Sequence, residues 1–158
     1  MKDLANELRA AVQDARARLE AIGEKASLEI GPGKWSKRQI LGHLIDSALN
    51  NDQRFVRAQS GEALDFPDYE QDAWVAAHGY AERPWPELVA LWASLNEQVA
   101  HAIERLPANR LATPCRIGGS EPHTLEYVAR DYPKHMQHHL QQILDPEAAA
   151  GKQYPPVA

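Results

Sequence analysis

The chain has 158 residues and a mass of 17.6 kDa, enough for one domain and short of two ordinary ones. Its hydrophobic content of 44% and charged content of 25% are those of a globular fold and exclude a disordered chain. A formal charge of -5, with basic residues scattered among acidic ones, argues against a nucleic-acid footprint, and a single cysteine, Cys115, excludes an internal disulfide framework or a multi-cysteine metal site.

The chain opens on a charged helical pattern with no apolar leader, and no stretch approaches the roughly 18 apolar residues of a membrane span. No membrane association and a cytoplasmic location are therefore the expectation. Leu4, Leu8, Ala11, Ala15, Leu19 and Ile22 recur at spacings of three and four, which predicts a first helix from Asp3, its expected cap, to Lys25. Pro32 and Gly33 break the pattern. Ser36 followed by Gln39 is a capping-box signal, with Trp35 just before it. A second helix then runs through Ile40, Leu41, Leu44, Ile45, Ala48 and Phe55 to a stop near Ser60-Gly61.

Residues 61–83 carry no clean periodicity. They predict a long crossover with one short helix near Tyr69 to Ala77. A third helix starts at Pro84 to Pro86 and continues to Leu106, and Pro107 ends it. Residues 108–122 form a second connection in which Gly118-Gly119 predicts a short hairpin-like excursion. Thr124 is the expected cap of a fourth helix that ends at Leu144, with Pro133 inside it predicting a kink before His135. No segment reads as a long strand. These pieces make an all-α four-helix bundle of residues 1–150, followed by a surface tail at 151–158.

The seven histidines differ in setting. His78, His101 and His123 lie near loops or on faces without a polar cluster and read as ordinary surface or outer residues. His135 and His139, four apart on the fourth helix, point the same way one turn apart, a spacing that lets two imidazoles share one metal ion. His138 points away from them. On the second helix, His43 lies at the edge of the apolar stripe beside a polar strip of Ser47, Asn50, Asn51 and Arg54. Tyr132, Asp131 and Gln142 flank the fourth-helix histidines, and Asp131 is a candidate to orient His135. Trp74 and Trp85 border the long crossover as candidate pocket walls. Three imidazoles would leave coordination positions open, as a catalytic site requires.

The run Gly33-Lys34-Trp35-Ser36-Lys37-Arg38-Gln39-Ile40-Leu41-Gly42-His43-Leu44-Ile45-Asp46 resembles the opening motif of the DinB-like (DinB/YfiT) superfamily. Asn51-Asp52-Gln53-Arg54-Phe55 is similar to the stretch that follows it, and His135-Met136-Gln137-His138-His139-Leu140-Gln141-Gln142-Ile143 to the family's paired-histidine helix. The resemblance covers Leu8 to Leu144. It implies a four-helix bundle with a first-to-second helix hairpin and a long crossover between the second and third helices, often as a homodimer. It also implies His43, His135 and His139 as ligands of a divalent ion, nickel or zinc, with iron and manganese also found in such proteins.

Characterised relatives include transferases of low-molecular-weight thiols. The expectation is therefore a thiol-dependent S-transferase acting on a small molecule. In it, Arg54 holds a carboxylate of the thiol cofactor, Tyr132 donates a proton or hydrogen bond, and Trp74 lines the cofactor site. The alternatives are a metal-dependent hydrolase, with Asp46 as general base, and a non-enzymatic helical scaffold or stress-response module.

Overall fold

The computed structural model describes residues 1–149, so the expected tail at 151–158 lies outside the described residues. Four long helices carry the architecture: α1 (Lys2–Glu20), α2 (Lys37–Arg57), α4 (Trp85–Glu104) and α5 (Leu125–Leu144). Between α2 and α4 lie a short strand, β1 (Leu64–Phe66), and a short helix, α3 (Gln71–His78); between α4 and α5 lie β2 (Pro114–Ile117) and β3 (His123–Thr124). A last turn, α6, covers Pro146–Ala149.

The helix starts follow local chemistry. Ser36 accepts a hydrogen bond from the Gln39 N–H while the Gln39 side chain accepts one from the Ser36 N–H, closing the capping box at α2. Thr124 accepts from the Tyr127 N–H at α5. α1 departs from expectation at both ends. Met1 occupies the cap position, leaving Asp3 in the first turn, and the helix stops at Glu20 instead of Lys25. Gly23, a poor helix former, follows that stop, and residues Ala26–Leu28 form a separate tight turn. α2 likewise ends at Arg57, before Ser60-Gly61. α5 continues through Pro133 to Leu144.

α1 packs against α4 and α5, and α2 packs against the same two helices. The four thus form a bundle in which α1 and α2 are not neighbours, and the first-to-second helix hairpin implied by the resemblance does not form. The sixteen residues between Glu20 and Lys37 are long enough to carry the chain across the end of the bundle. One contiguous apolar core runs through it, with Leu8, Leu19, Leu41, Leu44, Phe55, Leu88, Trp92 and Ile103 fully buried.

The connections build a small sheet in the order β1-β2-β3 that the sequence shows only in part. The hairpin-like excursion is β2 paired antiparallel with β3, while β1 adds a parallel partner from the long crossover, Leu64 beside Cys115 and Phe66 beside Ile117. Gly118 and Gly119 make the turn with φ of 58° and 75°, where a side chain is strained. β1 is only three residues long, too short for an alternation signal.

The crossover lies against α2, most closely where Tyr80 meets Gly42. A Cβ on Gly42 would stand 2.8 Å from Tyr80 Cβ and closer still to its ring carbons. Alanine would gain about 1 kcal/mol of helix propensity over glycine at this mid-helix position. The displaced aromatic ring outweighs that gain, so Gly42→Ala is expected to destabilise the fold by about 1–3 kcal/mol, read from the denaturant midpoint. An unchanged or raised midpoint would contradict this packing.

Candidate metal centre

α2 is the central helix, and its buried face is wide enough to carry a polar strip beside the apolar one. His43, Asp46, Ser47, Asn50, Asn51 and Arg54 are all buried on it. A strip of this kind is stable only if its groups find partners inside. α5 faces it with His135 buried and His139 half-buried.

His43, His135 and His139 converge, their ligand atoms all lying within 4.8 Å of one another. The ring centroids are 4.6 to 5.2 Å apart, with the rings meeting edge to face. Nε2 of His43 stands 3.3 Å from Nε2 of His135. Two nitrogens bound tetrahedrally to one zinc ion at about 2.0–2.1 Å are themselves about 3.3 Å apart, so the spacing fits a shared divalent ion.

Outer contacts meet the ligand rings. Nδ1 of His139 lies 2.8 Å from Gln142 Oε1, and the tautomer that carries its proton on Nδ1 satisfies this contact and leaves the Nε2 lone pair for a metal. Nδ1 of His135 lies 3.4 Å from Ser47 Oγ. Burial, and then the neighbouring His139, hold His43 down to about 3. Burial holds His139 to about 4, and burial followed by the other histidines keeps His135 well below the ordinary imidazole value. All three rings are therefore neutral at pH 7, the state that ligates a metal.

Gln142 orients a ligand through its amide, so Gln142→Leu is expected to weaken zinc binding by roughly 10–100-fold. Titration against a competing chelator reads this, and an unchanged affinity would remove Gln142 from the site.

The cluster borders an open cavity at His139. This cavity, of about 240 Å³, is bounded by Lys34, Trp35, Ile40, Asp72, His139 and Gln142. The Lys34 ammonium pairs with the Asp72 carboxylate across this mouth, tying the segment before α2 to α3. Trp35, the residue before the cap, packs its ring on His43 at 5.3 Å. A larger groove of about 360 Å³ between α1 and α5 is lined by Asp14, Arg18, Gln137 and Gln141 and holds no group of the histidine cluster.

The other expected site residues fall into distinct settings. Asp46 is fully buried. Its Oδ1 accepts from the Tyr80 hydroxyl at 2.7 Å and lies 2.9 Å from His78 Nδ1, while Oδ2 has no hydrogen-bond partner among the described residues. Burial pushes its carboxyl above the usual range, against the hydrogen bond from Tyr80. His78 thus belongs to a polar cluster, contrary to its reading as an isolated outer residue, because the turn at Gly79 and Tyr80 folds it back onto α2.

Tyr132 is buried, packs edge-on against Phe55 and donates to Asn96 Oδ1 on α4 at 2.6 Å. Trp74 is exposed on α3, its ring tilted against Tyr69 and edge-on to His78. Trp85 lies in the core, its Nε1 donating to the Leu19 carbonyl. Asp131 is buried on α5. Arg54 is fully buried on α2, three turns beyond His43. Cys115 is buried on β2, where burial raises its thiol above the ordinary range and keeps it protonated and unreactive.

Sequence reasoning passed over Tyr80, whose partnership with Asp46 spans 34 residues and leaves no local pattern. It also left the role of Gln142 unassigned, although the spacing of three from His139 is a readable signal.

Among the described residues no helix is long and apolar enough to cross a membrane. The fold is similar to that of a solved protein described as "YfiT from Bacillus subtilis is a probable metal-dependent hydrolase with an unusual four-helix bundle topology". That similarity has a TM-score of 0.76 and 20% identity, and covers 94% of this chain and 88% of the other. No curated protein matches the chain significantly. The family profile of the DinB superfamily matches residues 2–143, which include all three histidines of the cluster, and the chain belongs to that superfamily.

Proposed function

We propose that the protein is a metal-dependent hydrolase acting on a small molecule, with a divalent ion held by His43, His135 and His139. The observation that carries this reading is the convergence of three neutral imidazoles, a donor set that fills fewer positions than a divalent ion offers. Such an ion, when bound, polarises a carbonyl and lowers the pKa of a coordinated water toward neutrality. Zinc and nickel both suit an all-imidazole set. The solved relative's description as a probable metal-dependent hydrolase favours hydrolysis over the thiol transfer expected from the sequence.

The chain's own residues have separable parts in this reading. Ser47 and Gln142 hold the ligand rings in orientation. Asp46 takes the proton, its Oδ2 being the oxygen left without a partner while Tyr80 and His78 hold Oδ1. Tyr132 fixes α5 against α4 through Asn96, three residues before His135. Trp74, beside the mouth-lining Asp72, provides an aromatic wall for the incoming molecule.

The test is an assay of the zinc- and nickel-loaded protein on a panel of small amides and esters, with and without low-molecular-weight thiols. Thiol-independent cleavage that disappears in His43→Ala is the expected result. Product that forms only with consumption of the thiol would replace hydrolysis by S-transfer, and no turnover in either arm would leave a non-enzymatic module.

A further inference from the structure

Two arginines are buried on α2, and they are treated very differently. Arg38 has every nitrogen engaged: Nε donates to Ser27 Oγ at 2.7 Å, Nη1 to the Arg83 and Ala81 carbonyls at 2.8 and 3.3 Å, and Nη2 to the Glu24 carbonyl and carboxylate. Arg54 is more deeply buried, at 0% exposure, and has one weak bond, from Nη1 to Asn51 Oδ1 at 3.4 Å. Its Nε and Nη2 have no hydrogen-bond partner among the described residues, and Asp68 and Tyr69 act on its charge only from outside hydrogen-bond reach. A buried guanidinium left in this state destabilises the fold, because a charge taken out of water goes uncompensated.

The unpaired atoms are not scattered. Nη1 is turned to Asn51, and Cζ lies over the Phe66 ring, 5.3 Å from its centroid. Nε and Nη2 remain, and these two nitrogens share one edge of the guanidinium. Their N–H bonds run parallel, the arrangement that matches the two oxygens of a carboxylate.

This edge is coupled to the histidine cluster through the polar strip. Asn51, oriented by accepting from Arg54, donates through Nδ2 to Ser47 Oγ at 3.4 Å and to the Ser47 carbonyl at 3.0 Å. Ser47 Oγ in turn meets His135 Nδ1. The Arg54 charge also bears on His135, and burial lowers the affinity of Arg54 for its own proton.

We propose that the Nε–Nη2 edge of Arg54 is the anchoring subsite for a carboxylate on the substrate, so that the protein acts on small carboxylate-bearing amides or esters. This deepens the hydrolase reading and rests on it for the reaction, but the carboxylate subsite itself requires no metal.

The experiment separates the two. Benzoate and its neutral analogue benzamide are titrated into the protein before and after metal removal by a chelator, following the arginine Nε–H signals by ¹H–¹⁵N NMR. The Arg54 signal is assigned by its absence in Arg54→Lys. The expected result is that benzoate shifts the Arg54 Nε–H signal in both metal states. Benzamide does not, and benzoate binds at least tenfold more weakly to Arg54→Lys, which keeps the charge and loses the two-point geometry. An Arg54 signal unmoved by benzoate in the wild-type protein overturns the proposal without recourse to any variant. Binding that vanishes with the metal also overturns it, since the carboxylate would then be a metal ligand. If benzoate binds at Arg54 while no metal is taken up at all, the subsite stands and the hydrolase reading falls. A thiol-bearing carboxylate that shifts Arg54 where benzoate fails would assign the edge to a thiol cofactor and overturn the substrate assignment.

Discussion

Zinc is expected to raise the stability of the wild-type protein by about 2.7 kcal/mol at a free concentration 100 times its dissociation constant, and to leave His43→Leu unchanged. The metal-free variant, in turn, is expected to be at least as stable as the metal-free wild type. The reason lies in the cluster itself. His43 is fully buried with Nδ1 lacking a hydrogen-bond partner among the described residues, and its Nε2 faces another imidazole nitrogen at 3.3 Å. Without an ion, that arrangement spends stability, because buried polar groups are left imperfectly satisfied. Leucine removes the unpartnered nitrogen and packs against Trp35 and the apolar strip of α2. A structural histidine predicts the opposite pattern: a large loss in the metal-free variant and little response of the wild type to zinc. Thermal unfolding of both proteins, with and without zinc, distinguishes the two.

Trp85→Ala is expected to cost about 3–5 kcal/mol, a large share of the roughly 5–15 kcal/mol that holds a domain together. Trp85 is 1% exposed at the start of α4, and its indole N–H donates to the Leu19 carbonyl at 2.8 Å. That carbonyl belongs to the last turn of α1, where it also accepts from the Ile22 N–H at 3.0 Å, so the indole adds a second bond to the end of the helix. The backbone N–H of Trp85 donates to Glu24 Oε1 at 3.0 Å, and Glu24 also holds Arg38 at the start of α2. One side chain thus fastens the end of α1 to the start of α4, close to where α2 begins. The loss should appear in the denaturant midpoint while the folded fraction still binds one metal ion per chain. A change below 1 kcal/mol would show that this junction carries little of the fold.

The four long helices were legible because each carries its own periodic stripe, and the caps of α2 and α5 because their signal is local, whereas Asp3 was displaced from the cap of α1 by Met1. Ser36 with Gln39 and Thr124 with Tyr127 needed nothing from elsewhere in the chain. The histidine cluster was legible for a related reason. The spacing of four between His135 and His139 is a property of one helix, and His43 stood beside a polar strip that had to face inward. What could not be read locally is what depends on distant partners. β1 exists because Leu64 and Phe66 find Cys115 and Ile117 some fifty residues later. His78 looked isolated until the turn at Gly79 brought it to Asp46. The diagonal placement of α1 and α2 is a choice among bundle topologies to which both helices' stripes are indifferent.

The central claim is that His43, His135 and His139 together hold one divalent ion. Elemental analysis of protein purified without a chelating tag, compared with His43→Ala and His135→Ala, tests it most directly. The account predicts about one zinc or nickel ion per chain in the wild type and none in either variant. No stoichiometric metal in the wild type, even after reconstitution with zinc, nickel or manganese, would contradict it.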